Sequence, residues 1–505
     1  MTNNYLTYTR ENGGRVILLF LLFLLAIYEF ITAGLQAFAI VCFLPFIILF
    51  IYAAFRWKMF TFWTFIIVNY FLSMKNVSLP IPMSLPNELL ELALLAIAII
   101  DARENPHFER AVNVMLLALL IWSSLCFLEI LNDTCNLGIK VGEWYKGFRL
   151  FAQQLILIEL AFCIYISSPK ALMTYMVLWA LLLLFSTFWT WKQINIGFTH
   201  AEQIWMETRG RTTHLLNAGT LTRYFSTFDN AASYGCHAAA AAVAFIIWGI
   251  TSKINKHRYF FLTASIFVIW GMFQTGTRTA IFCLAAGLIV YIFLSKSVKI
   301  AIPFTIVILL VAFFLVFTNI GQGNQQIRRM RSAFNKNDAS ANTRDINKDA
   351  IKKYIKDAPW GIGLGIGNDN IPTNNKFHKL SAIPPDSEYV YIWVHTGPIG
   401  VSVFTCCMVI IFLGGCYVVL FRLKNKTLSG IGAGLCGAFV AINIGGYANQ
   451  VLYGFPNGVT FFGGMAIVYI LPYLEKEWEE YEKKQIIEQE ERKRQKLEKK
   501  LAKQV

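Results

Sequence analysis

The 505 residues are 56% hydrophobic, 15% aromatic and only 15% charged, with a mean hydropathy of +0.51 and a net charge of +15. Soluble domains carry about 25% charged residues, so this composition excludes an ordinary soluble enzyme, a disordered chain and a coiled coil. On a soluble protein the positive charge would point to nucleic acid; on a membrane protein it marks cytoplasmic loops, and no nucleic-acid partner is expected.

A helix needs about 20 apolar residues to cross a bilayer. On that measure the chain reads as spans at 16–32, 36–54, 59–74, 87–101, 111–131, 149–167, 171–191, 236–251, 259–275, 279–295, 300–318, 389–421, 428–446 and 459–473. Several are short, so two could be re-entrant or fused, which leaves about 12–14 transmembrane helices in an all-α polytopic integral membrane protein. The 389–421 stretch is too long for one straight span. Its Gly397-Pro398 pair predicts a short helix, a break, and then the span.

Lys and Arg collect in alternate short loops: Arg56 and Lys58, Arg103 and Arg110, Lys170, Lys253 to Arg258, Lys296 and Lys299, and Arg422 to Lys426. The positive-inside bias makes these cytoplasmic, and both termini with them. The division that follows is 1–191 for N-terminal spans, 192–318 for a first outer loop and core spans, 319–388 for a large loop, 389–473 for C-terminal spans, and 474–505 for a charged, solvated cytoplasmic helix. The loop from 319 to 388 holds eleven Lys and Arg against seven Asp and Glu, and helical patterning from Asp345 to Lys356. A basic loop on the outer side suits an anionic ligand. Arg223, just before a span, and Arg278, in a hairpin between two spans, lie at outer helix ends, where planar guanidiniums could each grip two phosphate oxygens.

Most of the ten cysteines lie in apolar spans; Cys135 and Cys236 could reach the outside, but no bridge between them is expected. No CxxC pair with zinc spacing, Walker loop, GxSxG or HExxH is present, so no metal or cofactor is expected. The run Gly361 to Asn368 imitates a dinucleotide fingerprint but follows no strand. Among polar residues within spans, Glu159 is the best placed for a role in a cavity or for pairing with another helix.

Four stretches together resemble the O-antigen ligase / O-antigen polymerase family of bacterial inner-membrane glycan transferases. They are Arg223 to Gly235, Thr275 to Ala280, Thr343 to Asn368 (with Arg344, Pro359, Gly361, Gly363 and Gly365), and Asp386 to Gly400. The resemblance implies a metal-independent transfer at the periplasmic face of the inner (cytoplasmic) membrane. The donor would be an oligo- or polysaccharide on undecaprenyl pyrophosphate, with membrane lipid around it. The acceptor would be another glycan, lipid A-core or protein. Arg223 and Arg278 fall where the family binds pyrophosphate, and Arg344 falls on a further family arginine.

The family's ligases open the closing motif with a histidine; here Asp386 stands at that place. Asp386 is the first candidate for the general base, with His378, Glu388 and His395 as alternatives, although a carboxylate is a weaker base than an imidazole unless burial raises it. The missing histidine shifts weight towards a polymerase-like member. Attack opposite the leaving group would invert the anomeric centre. The alternative class is a flippase or transporter of lipid-linked oligosaccharide. Transporters commonly show internal repeats, and none is visible between the halves.

Overall fold

The computed structural model describes residues 56–75, 85–100, 107–216, 221–334 and 339–501, with scattered positions between 13 and 53. The chain divides into two units, Met1–Thr64 and Phe65–Val505. In the first, an apolar helix covers Gly13–Leu25, and most of the predicted 36–54 span lies outside the described residues, as Arg103 does.

Every predicted span from 59–74 onward falls on a helix, in the predicted order. The chain is therefore an all-α polytopic membrane protein. Among the described residues, seven helical stretches are long and apolar enough to cross a membrane by themselves.

Small residues let the central helices approach closely. Ala238 to Ala244 of the Ala231–Thr251 helix are fully buried. The Thr279–Leu294 and Lys426–Ala448 helices touch at Gly287 and Gly437, where a Cβ on either would lie 2.8 Å from the other's carbonyl oxygen.

The connecting segments gather at two ends of this bundle. At one, here the loop end, Lys75 pairs with Asp229, Ser73 donates to Phe455 O and Asn132 donates to Trp360 O. At the other, the tail end, Lys253 pairs with Glu482, Lys296 donates to Leu420 O and Arg110 donates to Ser167 O. Within Phe65–Val505, Arg110, Lys253 and Lys296, all from short loops predicted to be cytoplasmic, lie at the tail end.

The break at Gly397 is present: its backbone is non-helical, with φ of 68°. The rings of Tyr389 and Phe404 lie 5.5 Å apart, whereas a straight helix would separate these positions by about 22 Å. The Glu388–Thr396 stretch is thus folded back against the span that follows. Glu388, assigned from sequence to the loop, is the first residue of that helix, capped by Ser387.

The C-terminal tail differs from expectation. Helix Asn457–Leu501 runs through 473 and 474 without interruption, and its first polar turns are packed, not solvated. Glu475 accepts from the amides of Lys424 and Asn425, Trp478 is buried, and Glu482 accepts from Thr427, Asn425 and Lys253. The Asn425 side chain caps the first amides of the Lys426–Ala448 helix, and Glu475 takes the two loop amides just before it.

The large loop has its own apolar core. Helix Ala339–Ile355 covers the predicted 345–356 pattern up to Ile355 and packs Ile351 and Ile355 with Cys135, Ile362, Ile371, Phe377 and Leu380. Cys135 and Cys236 are separate free thiols, as expected.

Candidate active site

The turn Thr275 to Arg278 joins the Asn255–Gln274 and Thr279–Leu294 helices at the loop end. Arg223 reaches it from the preceding loop. Its Nε donates to Thr275 O (3.1 Å), its Nη2 to Thr277 Oγ1 (3.1 Å) and its Nη1 to Thr213 O (3.0 Å). Its own amide donates to His214 O. Burial draws the Arg223 guanidinium down to about 10, and the charges of Arg329, Arg278 and Arg344 add to that pull. Arg278 stands at the head of the Thr279–Leu294 helix, whose dipole is positive at that end, and its Nη1 donates to Ser332 Oγ.

Sequence reasoning missed a further cation. Arg329, on the short Gln325–Arg331 helix, donates from Nε to Gly276 O at 2.5 Å. Arg223 and Arg329, from two other segments, therefore both bond the turn that ends in Arg278. A run of loop arginines at 328, 329 and 331 was the available signal, but nothing local distinguished Arg329 from its neighbours.

A separate cavity of about 160 Å³ is lined by Arg344, Asn347, Asp386, Ser387, Tyr447 and others. Arg344 and Asn347 are three residues apart on one helix and share a face. Asn347 Nδ2 donates to Asp386 Oδ2 (3.0 Å). Arg344 Nη2 donates to Asn449 Oδ1 (3.3 Å), and Asn449 Nδ2 donates to Thr279 Oγ1 (3.2 Å). Asn449 thus stitches the cavity to the residue next to Arg278. It too was absent from the sequence reading.

The other base candidates are engaged elsewhere. His378 Nδ1 lies 2.7 Å from Ile371 O, within the loop's own fold. Glu388 is buried and accepts from the amide of Leu452, fixing the 451–453 segment. His395 is buried against Gly363 O (2.9 Å) and Tyr391, whose ring centroid is 4.1 Å away. The glycine run docks on the helix break. A Cβ at Gly361 would lie 2.4 Å from the His395 carbonyl, and one at Gly397 would lie 2.1 Å from Pro359 O. Glu159 accepts from Asn113 near the tail end, where it supports the cap of the Val114–Leu128 helix.

This is a polytopic membrane protein with a guanidinium cluster and a carboxylate-bearing cavity at one end of its bundle. Residues 263–405 are similar to the family whose model is described as O-antigen ligase. The matched stretch carries Arg278, Arg329, Arg344 and Asp386; Arg223 and Asn449 lie outside it. No curated protein is significantly similar to the chain.

Proposed function

We propose that the protein transfers a glycan from an undecaprenyl-pyrophosphate carrier to an acceptor hydroxyl, at the periplasmic face of the bacterial inner membrane. The observation that carries this reading is the convergence of Arg223, Arg278 and Arg329 on one turn, joined through Asn449 to a cavity holding Arg344 and Asp386. The crowding of Lys and Arg in the short loops at the tail end supports a cytoplasmic tail end and a periplasmic loop end.

In the reaction, the bond between the anomeric carbon and the pyrophosphate oxygen breaks, and its electron pair passes to that oxygen. The leaving group gains a negative charge, which the arginines are placed to stabilise. The acceptor oxygen forms the new bond to the anomeric carbon from the opposite face, inverting it. Its proton passes to Asp386, whose other oxygen is steadied by Asn347. In this scheme Arg223, Arg278 and Arg344 bind the donor, and Asp386 is the base in place of His378 or Glu388.

The acceptor class, lipid A-core or a second lipid-linked glycan, distinguishes ligase from polymerase. Purified protein given a synthetic lipid-linked repeat tests the reading: released undecaprenyl pyrophosphate with an extended glycan is expected. Movement of intact donor across vesicles without release would replace it with a flippase.

A further inference from the structure

Arg329 is held by more than its contact with Gly276. Its short helix is tied at one end by Asn324, which caps the amides of Gln326 and Ile327. At the other end Arg331 donates to the carbonyls of Phe314, Thr318 and Ile320, which close the preceding membrane helix. Met330, next to Arg329, is fully buried. With both flanks fixed, the Arg329 side chain is committed to the Thr275–Arg278 turn.

Gly276 is what admits it. Its φ is +57°, and a Cβ there would stand 3.1 Å from Arg329 Cδ and 3.2 Å from Nε. The bare backbone lets the guanidinium lie along the turn, its Nε on Gly276 O. Arg223 grips the same turn through Thr275 and Thr277, and Arg278 is its last residue. Like charges brought close together repel, and Arg329 is the foremost charge acting on half-buried Arg223. A cluster this crowded is stabilised by an anion that meets several guanidiniums at once.

Resting on the transfer reading above, we propose that Arg329 joins Arg223 and Arg278 as the third pyrophosphate-binding arginine at this turn, seated by Gly276 and distinct from Arg344 in the cavity, and that it makes the site prefer a diphosphate carrier to a monophosphate one. A single phosphate can be held by two fork-shaped cations. The second phosphate of the donor, and the charge that appears there on bond cleavage, calls for a third.

The test is binding of undecaprenyl pyrophosphate and undecaprenyl phosphate to the full-length protein in detergent. Wild type is expected to prefer the pyrophosphate. Arg329→Gln should weaken pyrophosphate binding by about 10- to 100-fold, the scale of one charged hydrogen-bonded contact, with little change for the monophosphate. Arg329→Lys should recover part of the loss. Gly276→Ala, which displaces the guanidinium and keeps its charge, should lose pyrophosphate affinity too. Arg328→Gln, on the exposed neighbour, should behave as wild type. An unchanged preference in Arg329→Gln, or an equal loss in Arg328→Gln, overturns the inference and leaves the transfer reading standing. Failure of the wild type to bind undecaprenyl pyrophosphate overturns the transfer reading itself.

Discussion

Arg223→Lys isolates geometry from charge. The native guanidinium makes three hydrogen bonds, to Thr275 O, Thr277 Oγ1 and Thr213 O. An ammonium on a shorter reach keeps the charge and satisfies one of them. The Thr213 contact is exposed, so water replaces it at little cost. Thr277 Oγ1 keeps its bond to Ala231 O. The main loss is at the Thr275 carbonyl, together with the fixed plane that holds the turn beneath Arg278 and Arg329. One charged hydrogen bond and one unsatisfied acceptor amount to about 1.5–3 kcal/mol. Expressed in the positioning of the leaving group, that is about a 10- to 100-fold fall in turnover. Initial rates of undecaprenyl pyrophosphate release from a synthetic donor measure it, with kcat falling more than KM rises because the charge remains. Thermal unfolding in detergent, run alongside, separates a local effect from misfolding. A folded Arg223→Lys protein with wild-type kcat would refute the argument that the fork holds the turn.

Asp386→Asn should lower kcat by about 10²- to 10⁴-fold, the usual contribution of a general base. Its unfolding midpoint should be unchanged, because the amide oxygen can still accept from Asn347; retained activity would move the base elsewhere. Gly397→Ala forces a Cβ to 2.1 Å from Pro359 O at a φ of 68°, so it should cost about 2–4 kcal/mol of stability, read as a lower unfolding midpoint. Asn449→Ala cuts the link from Arg344 to Thr279 and should raise the donor KM severalfold with little change in unfolding; an unaltered KM would show that the link does not serve binding. His214 lies in the loop beneath Arg223 and accepts the Ala231 amide on Nε2 (3.1 Å). Burial, and then the charge of Arg223, lower it to about 4. The neutral ring is favoured in the folded state, so its stability is full above about pH 6.5 and is lost as pH falls towards 4, by up to about 1.4 kcal/mol per unit. Unfolding midpoints between pH 7.5 and 4.5 should drop, and His214→Gln should flatten that slope; equal slopes would assign the effect to other groups.

Properties that depend on short stretches were legible in the sequence. Hydrophobic length gave the membrane class and the helix order, because the bilayer acts on each segment separately. The Gly397-Pro398 break and the helix in the large loop followed from backbone chemistry and periodicity. Arg223, Arg278, Arg344 and Asp386 could be nominated from local motifs, and the fold does bring them to one end of the bundle. Only tertiary packing separated Asp386 in its cavity from His378 in the loop core and Glu388 under the 451–453 segment. It also packed the first turns of the charged tail, through Glu475 and Glu482, against the start of the Lys426–Ala448 helix. The seat of Arg329 on Gly276 and the link through Asn449 join residues 53 and 105 to 170 positions apart. No periodicity records such meetings. They are set by how closely glycine- and alanine-rich helices pack, which decides which loop ends come within reach of one another.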